Sequence, residues 1–149
     1  MAKTYPQVGE VIELTLNGDD PKNVPLGMVR DFGYYSDGWK HKGKTVTGTQ
    51  TRRFMLVKVG YQSNLAEAKK ALEAAHGPTP EGQWLQAFRA EYPTPDGNGP
   101  VGIADSAWAG LRGYADFPFV GSNGRPRFGW PGRGLREAWR WLVPAPVGK

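Results

Sequence analysis

The sequence predicts an α+β fold, because strand patterns dominate both ends of the chain and two helical patterns lie between them. The strand patterns are alternating or continuous apolar runs, rich in β-branched and aromatic residues. The chain has 149 residues, 39% hydrophobic and 22% charged, which suits one folded domain. We expect a single domain over 1–149: mainly β over 1–62, a helical pair over 63–92 and short aromatic-rich strands over 100–144.

Two strand patterns in the N-terminal half are the clearest. Residues 11–16 (VIELTL) alternate apolar and polar side chains, the period of a half-buried strand, and Asn17-Gly18 then favours a turn. Residues 54–59 (FMLVKV) are almost continuously apolar, as expected of a central strand. These two segments predict the main part of an antiparallel N-terminal sheet.

Three further segments of the N-terminal half carry weaker patterns. Residues 24–29 are expected to form a short strand, which Pro25 confines to a sheet edge because proline has no N–H donor. Residues 32–35 are a third candidate strand. The alternating threonines of residues 45–51 predict either an exposed hairpin arm or a mobile loop.

The first expected helix follows Asn64. This residue is a good N-cap, and Glu67, three residues on, completes a capping box. Leu65, Ala68, Leu72 and Ala75 have the spacing of one helix face. The glycine and proline that follow His76 end the helix.

The second expected helix begins at Thr79, which acts as its cap, with Pro80 at the first helical position. Trp84, Leu85, Phe88 and Tyr92 share one side of this helix, and a proline at position 93 stops it. The loop over 93–100 contains two Asx-Gly pairs, which favour turns.

The C-terminal third predicts several short strands. One is expected over 101–104, and two more over 117–120 and 127–130 form a hairpin. Asn123-Gly124 between them suits a type I′ turn. The segment 135–143 fits both helical and strand spacing, and its β-branched and aromatic residues favour the strand.

Tryptophans are concentrated in this C-terminal third, among several arginines. In a strand, Trp139 and Trp141 share one face and Arg140 points the other way; Phe128 and Trp130 likewise share a face. This separation favours an aromatic core with arginines outside it over an exposed stacking platform. Trp84 and Trp108 are expected to join the same core. Four of the six tryptophans lie in this C-terminal third: Trp108, Trp130, Trp139 and Trp141.

The formal net charge is +5 and is unevenly distributed. Residues 40–53 include five basic residues and no acidic one. A basic field of this kind favours polyanions or acidic partners by long-range attraction. The expected binding residues are Lys40, Lys42, Lys44, Arg52 and Arg53, with Arg125, Arg127 and Arg140 as a second patch.

Several classes of protein are disfavoured by the sequence. There is no cysteine, so disulfides, thiolate nucleophiles and cysteine-based zinc sites are excluded, and a cytoplasmic location is expected. No apolar run is long enough to span a membrane. The pattern Gly97-x-Gly99-x-x-Gly102 lacks the strand–turn–helix context of a dinucleotide site, and Asp19-Asp20 lacks calcium-loop spacing. We expect no cofactor and no metal.

Two histidines are the only imidazole groups available for catalysis. His76 is expected at a helix C-terminus, where the helix dipole favours an imidazolium. His41 lies between Lys40 and Lys42 in an expected exposed turn, where neighbouring cations would lower its pKa and suit it to phosphodiester cleavage. That chemistry needs a second acid or base, for which Glu10 and Glu13 are candidates.

These patterns favour a non-enzymatic binding protein that docks nucleic acid or an acidic protein surface through the basic segment 40–53. The first alternative is a protein–protein interaction or assembly module with an exposed Trp/Phe/Arg patch. The second is a small phosphodiester hydrolase that uses His41. The sequence carries no signal of oligomeric state.

Overall fold

The computed structural model describes residues 3–110, 113 and 115–146. The strands in this part of the chain are β1 (Ile12–Asn17), β2 (Lys40–His41), β3 (Thr49–Val57), β4 (Val101–Gly102), β5 (Trp108–Ala109), β6 (Ala115–Val120), β7 (Pro126–Gly129) and β8 (Arg140–Pro144). The helices there are α1 (Pro25–Asp31), α2 (Leu65–His76) and α3 (Trp84–Glu91). The predicted α+β class is confirmed.

One mixed sheet joins the N-terminal and C-terminal strands. Its order is β1-β3-β8-β4-β6-β5-β2, and β7 pairs with β6 outside this path. The β1–β3 and β3–β8 pairs are antiparallel, whereas β4 and β8 run parallel. The last strand in sequence therefore lies in the middle of the sheet and links its two halves.

Both faces of the central strands are buried, against different helices. Because successive side chains of a strand point to opposite faces, Phe54 and Leu56 face one way and Val57 the other. The first cluster of buried residues includes Phe54, Leu56 and, from α3, Trp84 and Phe88. The second combines Val57, Trp141 and Val143 with Leu65, Ala68 and Leu72 of α2. The burial of each large apolar side chain contributes roughly 1.5–3 kcal/mol.

Helix α2 begins after the predicted N-cap Asn64, but the return bond from the Glu67 side chain that would complete a capping box is not among the hydrogen bonds of the described residues. The Asn64 side chain accepts a hydrogen bond from the Glu67 N–H at 2.9 Å, and the helix ends at Gly77, whose φ is +80°. Helix α3 ends at Glu91, one residue earlier than expected, with Tyr92 as its C-cap. It begins at Trp84, so the predicted start at Thr79 and Pro80 is wrong. The turn before α3 is held by other contacts: the Gly82 N–H donates to Asp105.

Two of the weaker strand predictions are wrong. Residues 25–29 lie in helix α1 and Val24 is its N-cap, because Pro25 occupies the first helical position and Met28 and Val29 bury one helical face. Residues 32–35 are also not a strand. The Phe32 N–H bonds the carbonyl of Met28, which extends the helical turn, and the Tyr34 N–H bonds that of Val29.

The threonine-rich segment 45–51 is partly a strand and partly a tethered loop. Strand β3 begins at Thr49, earlier than the apolar pattern alone indicated. The threonine side chains are exposed, but Val46 is buried and its N–H donates to Oε1 of Gln83 at 2.7 Å. This buried bond fixes the loop against the start of α3.

The hairpin of β6 and β7 is confirmed, with Phe119 opposite Arg127. Its turn is not type I′, because that turn needs positive φ at both central residues and no described non-glycine residue has one. The Gly124 N–H bonds the Gly121 carbonyl, and the Gly121 N–H bonds the Arg125 carbonyl. With Gly124 at φ +83°, this is a three-residue loop that ends in a glycine bulge.

Most of the tryptophans form the core, as expected. Trp84, Trp108, Trp139 and Trp141 are no more than 6% exposed, and the rings of Trp139 and Trp141 stack at 5.4 Å. Trp130 is 56% exposed, so its assignment to the core is wrong. Strand β7 ends one residue before it, and the strand alternation does not extend that far. Among the described helices, none combines the length and apolarity needed to cross a membrane.

Candidate functional site

The basic segment after Trp39 lies on a ridge at one end of the sheet. Strand β2 pairs with β5 so that Lys40 is opposite Ala109 and His41 is opposite Trp108. The Lys42 N–H then donates to the Ala107 carbonyl at 2.9 Å. Residues 40–42 thus pair with 107–109 at this edge of the sheet, and we refer to residues 40–44 and 105–109 as the lysine ridge.

A groove of about 530 Å³ follows one side of the lysine ridge. Lys40 and Lys42 line it, since alternate residues of a strand point the same way. Its other lining residues are small or apolar: Gly38, Ser106, Ala107, Trp108, Ala109, Gly110, Gly113 and Ala115. None of these lining residues is acidic, and neither lysine makes a salt bridge with a described residue. One carboxylate lies close to the lining: Oδ2 of Asp116 would be 3.4 Å from a Cβ on Gly110.

Aromatic residues stand beside this first groove. Trp39 is half-buried, and a Cβ at Gly110 would come within 3.3 Å of its ring. The Tyr34 ring packs against Trp39 at 5.6 Å, and Tyr35 is 91% exposed. The loop between α1 and β2 therefore carries exposed aromatic surface and leads along the chain to Lys40.

A second groove, of about 350 Å³, includes Lys44 and Asp105 of the lysine ridge in its lining. It carries three cations, Lys44, Arg52 and Lys69, and three carboxylates, Glu73, Glu81 and Asp105. Arg52 is engaged by Glu81 at 3.4 Å and by the rings of Phe54 and Trp84. Among the described residues, Lys44 and Lys69 make no salt bridge.

Asp105 connects the ridge to the turn before α3. Its carboxylate accepts hydrogen bonds from the Gly82 N–H at 2.8 Å and from the Ala107 N–H at 3.2 Å. Burial raises the pKa of this carboxyl group, although the two hydrogen bonds and the charges of His41 and Lys69 oppose the rise. The sequence did not indicate Asp105 or Lys69 as site residues, because the segments that meet here are distant in sequence.

His41 is not in an exposed turn, contrary to expectation. Its ring packs edge-on against Trp108 at 4.5 Å, and its Nε2 is buried without a hydrogen-bond partner in the described part of the chain. The pKa of His41 is lowered by burial, with Asp105 opposing the shift, and not by neighbouring lysines. The suggested catalytic partner Glu13 lies on β1, at the opposite end of the sheet order from β2.

The remaining predicted binding residues do not join the lysine ridge. Arg53 is opposite Glu13 on the exposed face of the β1–β3 pair. Arg125 and Arg127 belong to the β6–β7 hairpin, where Arg127 and Arg133 line a shallow groove of about 390 Å³. The structure thus brings together Lys40, Lys42 and Lys44 on the ridge, with Arg52 beside it, and separates the others.

Arg140 is a structural residue. It is 4% exposed, and its guanidinium donates to both carboxylate oxygens of Asp96 and to the Gly99 carbonyl. Its expected position on the outer surface is wrong because this side of β8 faces the first apolar cluster, where Arg140 lies over the Tyr5 ring. A buried arginine with these partners is not free to contact a ligand.

A second exposed surface contains aromatic and basic groups. Trp130 is 56% and Tyr61 is 62% exposed. Their segments are joined, because the Gln62 N–H bonds the Leu135 carbonyl and the Leu65 N–H bonds the Pro131 carbonyl. We refer to residues 61–62 and 130–135 as the Trp130 surface.

The described residues offer no metal centre: in that part of the chain no group of three histidines or carboxylates is arranged to hold an ion. The chain matches no protein-family model, no curated protein and no solved structure. Its function therefore has to be inferred from its own surfaces.

Proposed function

We propose that this chain is a binding protein that docks a polyanion, with single-stranded nucleic acid as the leading ligand, on the lysine ridge. The observation that carries the proposal is the set of three lysines on that ridge. Within the described residues, Lys40, Lys42 and Lys44 make no salt bridge, and each of them lines one of the two grooves. An acidic protein surface is the other polyanion that would fit.

Phosphate groups suit the first groove for two reasons. The ammonium groups of Lys40 and Lys42 supply charge-assisted hydrogen bonds, and binding releases the counterions of the polyanion. Because most of the other lining residues are glycine and alanine, the groove has room for the sugar–phosphate backbone of a nucleic acid, which is wider than a side chain. Such contacts position a ligand without reading its sequence.

The aromatic loop favours a ligand with unpaired bases over one with phosphate alone. Tyr35 is almost fully exposed, and its loop leads directly into the first groove through Gly38. Stacking of a base on an exposed aromatic ring contributes about 1–3 kcal/mol, and it tolerates any sequence. A single-stranded nucleic acid suits this arrangement, because the lysines can hold its phosphate backbone while the tyrosine stacks on one of its bases.

The test is fluorescence anisotropy with a labelled oligonucleotide over a range of salt concentrations. We expect the triple variant Lys40→Glu, Lys42→Glu and Lys44→Glu to lose binding. If the three lysines are instead replaced by neutral residues, some binding should remain measurable. The slope of log affinity against log salt concentration should then fall in magnitude by about 2, since each single-strand phosphate contact contributes about 0.7. Tyr35→Ala should weaken binding to oligonucleotides but not to polyphosphate.

The matched control carries the same charge change elsewhere. Lys58, Lys70 and Arg136 are exposed and lie outside both grooves, so their replacement by glutamate should leave most of the affinity intact. Equal loss in both triple variants would mean that net charge, and not the lysine ridge, governs binding. Salt-insensitive binding, or none to any nucleic acid, would overturn the proposal.

A second candidate function is protein–protein interaction through the Trp130 surface. Its support is the exposure of Trp130 and Tyr61 beside Arg133, because tryptophan, tyrosine and arginine dominate binding hot spots. The test is a pull-down with the double variant Trp130→Ala and Tyr61→Ala, with Tyr35→Ala as the control. A partner retained by the double variant would count against this surface.

A further inference from the structure

The chain contains three asparagine–glycine pairs, and each of them can react with itself. In this reaction the backbone nitrogen of the glycine attacks the side-chain carbonyl carbon of the asparagine, and glycine has no Cβ to hinder the attack. The pairs are Asn17-Gly18, Asn98-Gly99 and Asn123-Gly124. All three asparagines are exposed, so exposure does not separate them.

The first pair, at the end of β1, is held by hydrogen bonds. The Gly18 N–H donates to the Gly48 carbonyl at 2.8 Å. Oδ1 of Asn17 accepts from the Asp19 N–H at 3.0 Å. Both reacting groups are therefore engaged, and these bonds must break before the glycine nitrogen can reach the side chain of Asn17.

The third pair is held in the same way, in the turn of the β6–β7 hairpin. The Gly124 N–H donates to the Gly121 carbonyl at 2.8 Å. Oδ1 of Asn123 accepts from the Arg125 N–H at 3.0 Å. The fold thus restrains the glycine nitrogen and the asparagine side chain here as well.

The middle pair, in the loop between α3 and β4, lacks both restraints. Within the part of the chain that the structure describes, neither the side chain of Asn98 nor the N–H of Gly99 makes a hydrogen bond. The backbone N–H of Asn98 donates to Oδ1 of Asp96 at 3.0 Å. The main chain of Asn98 is therefore held, while its side-chain amide is free to turn towards the nitrogen of Gly99.

We infer that Asn98 is a site of spontaneous deamidation in the folded protein. The nitrogen of Gly99 gives up its proton and forms a bond to Cγ of Asn98. The C–N bond of the side-chain amide breaks, and the amide nitrogen leaves as ammonia with a proton taken up from water. Water then opens the resulting succinimide ring at either of its carbonyls and leaves aspartate or isoaspartate.

The position of the pair gives this modification a structural effect. The Gly99 carbonyl accepts from Arg140 at 2.7 Å, and a Cβ on Gly99 would lie only 2.4 Å from the Ala138 carbonyl oxygen. Isoaspartate lengthens the main chain by one carbon atom directly before this glycine. The longer chain displaces Gly99 against Ala138 or away from Arg140, and either movement weakens the contacts that tie β8 to the loop.

The test is to incubate the folded full chain at mildly alkaline pH and to follow deamidation by mass spectrometry of tryptic peptides. Trypsin places the three asparagines on separate peptides. We expect Asn98 to react at least about tenfold faster than Asn17 or Asn123, since two hydrogen bonds must break at each of the others. In concentrated urea the three rates should become similar, because the fold no longer restrains the pairs. Similar rates in the folded protein, or an unreactive Asn98, would overturn the inference.

The structural effect has its own control variants. Asn98→Gln keeps an amide at this position but cyclises slowly, because the ring that it would form is larger. Incubation should lower the urea midpoint of the wild type and of Asn123→Gln, and it should leave Asn98→Gln unchanged. Equal loss of stability in Asn98→Gln, or a deamidated wild type as stable as fresh protein, would contradict the coupling of this site to Arg140.

Discussion

Arg140 and Asp96 form a bidentate ion pair. The two terminal nitrogens of Arg140 lie 2.8 and 2.9 Å from the two carboxylate oxygens of Asp96. A third bond, from Arg140 to the Gly99 carbonyl, measures 2.7 Å. The pair ties the central strand β8 to the loop between α3 and β4. Such pairing is needed because an uncompensated buried guanidinium is strongly destabilising.

Asp96→Asn should lower the free energy of unfolding by about 3 kcal/mol, the lower end of the range for breaking a buried ion pair. The reason is that Arg140 stays buried while it loses its counter-charge. Urea denaturation at neutral pH measures the effect. Asp37→Asn, at an exposed carboxylate, is the control and should change little.

The same ion pair predicts that the stability of the fold changes with pH in the acid range. Burial alone would raise the pKa of Asp96, but the hydrogen bonds from Arg140 and Asn98 outweigh it and hold the pKa below the ordinary 3.8. Because the pKa of Asp96 is lower in the folded state, its carboxylate stabilises the fold at pH values above the unfolded-state pKa. This contribution is lost as the pH falls below 3.8 and through the folded-state pKa. The stability gap between wild type and Asp96→Asn should therefore close in acid.

His41 predicts a second pH effect, at higher pH. Burial holds the pKa of His41 below 6.5, so the folded state binds its proton less readily than the unfolded state does. Stability should fall as pH drops below 6.5 towards the folded pKa and then level off. His41→Phe should remove this part of the pH dependence in urea denaturation curves recorded from about pH 8 to about pH 5. Identical curves for both proteins would contradict the burial of His41.

Gly82→Ala should destabilise the fold by about 1–3 kcal/mol, the usual range for overpacking. A Cβ at this position would lie 2.5 Å from Cζ3 of Trp108 and 2.8 Å from Cγ of Pro118. Gly121→Ala is the control, since its nearest neighbour is the Asn123 side chain at 3.3 Å. A thermal or urea unfolding comparison decides between them, and equal stability of the two variants would refute the close contact.

Trp130→Phe should remove much of the acrylamide-quenchable tryptophan fluorescence. Trp130 is 56% exposed, whereas Trp84, Trp108, Trp139 and Trp141 are buried. Trp108→Phe is the comparison and should change the quenchable fraction little. Half-buried Trp39 should account for the quenching that remains in Trp130→Phe. An unchanged quenchable fraction in this variant would contradict the exposure of Trp130.

Local patterns predicted the elements whose signals are self-contained. Asn64 and Glu67 carry their capping chemistry within one turn, and the alternation of β1 needs only six residues. The preference for a strand over a helix in the segment 135–143 was correct for its second half only: β8 begins at Arg140, and a turn precedes it. The type of the β6–β7 turn was not predictable from Asn123-Gly124 alone.

Long-range packing decided the rest. Residues 24–29 read as an edge strand, yet Pro25 fits a helical first turn equally well, and burial of Met28 selected the helix. Arg140 alternates with tryptophans and so was placed outside the core, but its partner Asp96 is 44 residues away. No local pattern signals a buried ion pair of that separation. The assembly of the lysine ridge from residues 40–44 and 105–109 is also long-range.

The position of β8 has a consequence for folding during synthesis. A ribosome releases the chain from its N-terminus, so β3 and β4 emerge well before the strand that lies between them in the sheet. Until residues 140–144 arrive, the facing edges of β3 and β4 remain open to pairing with other nascent chains. Native assembly of this sheet is therefore a late event, completed within seconds after the earlier strands have appeared, and the interval exposes the chain to aggregation.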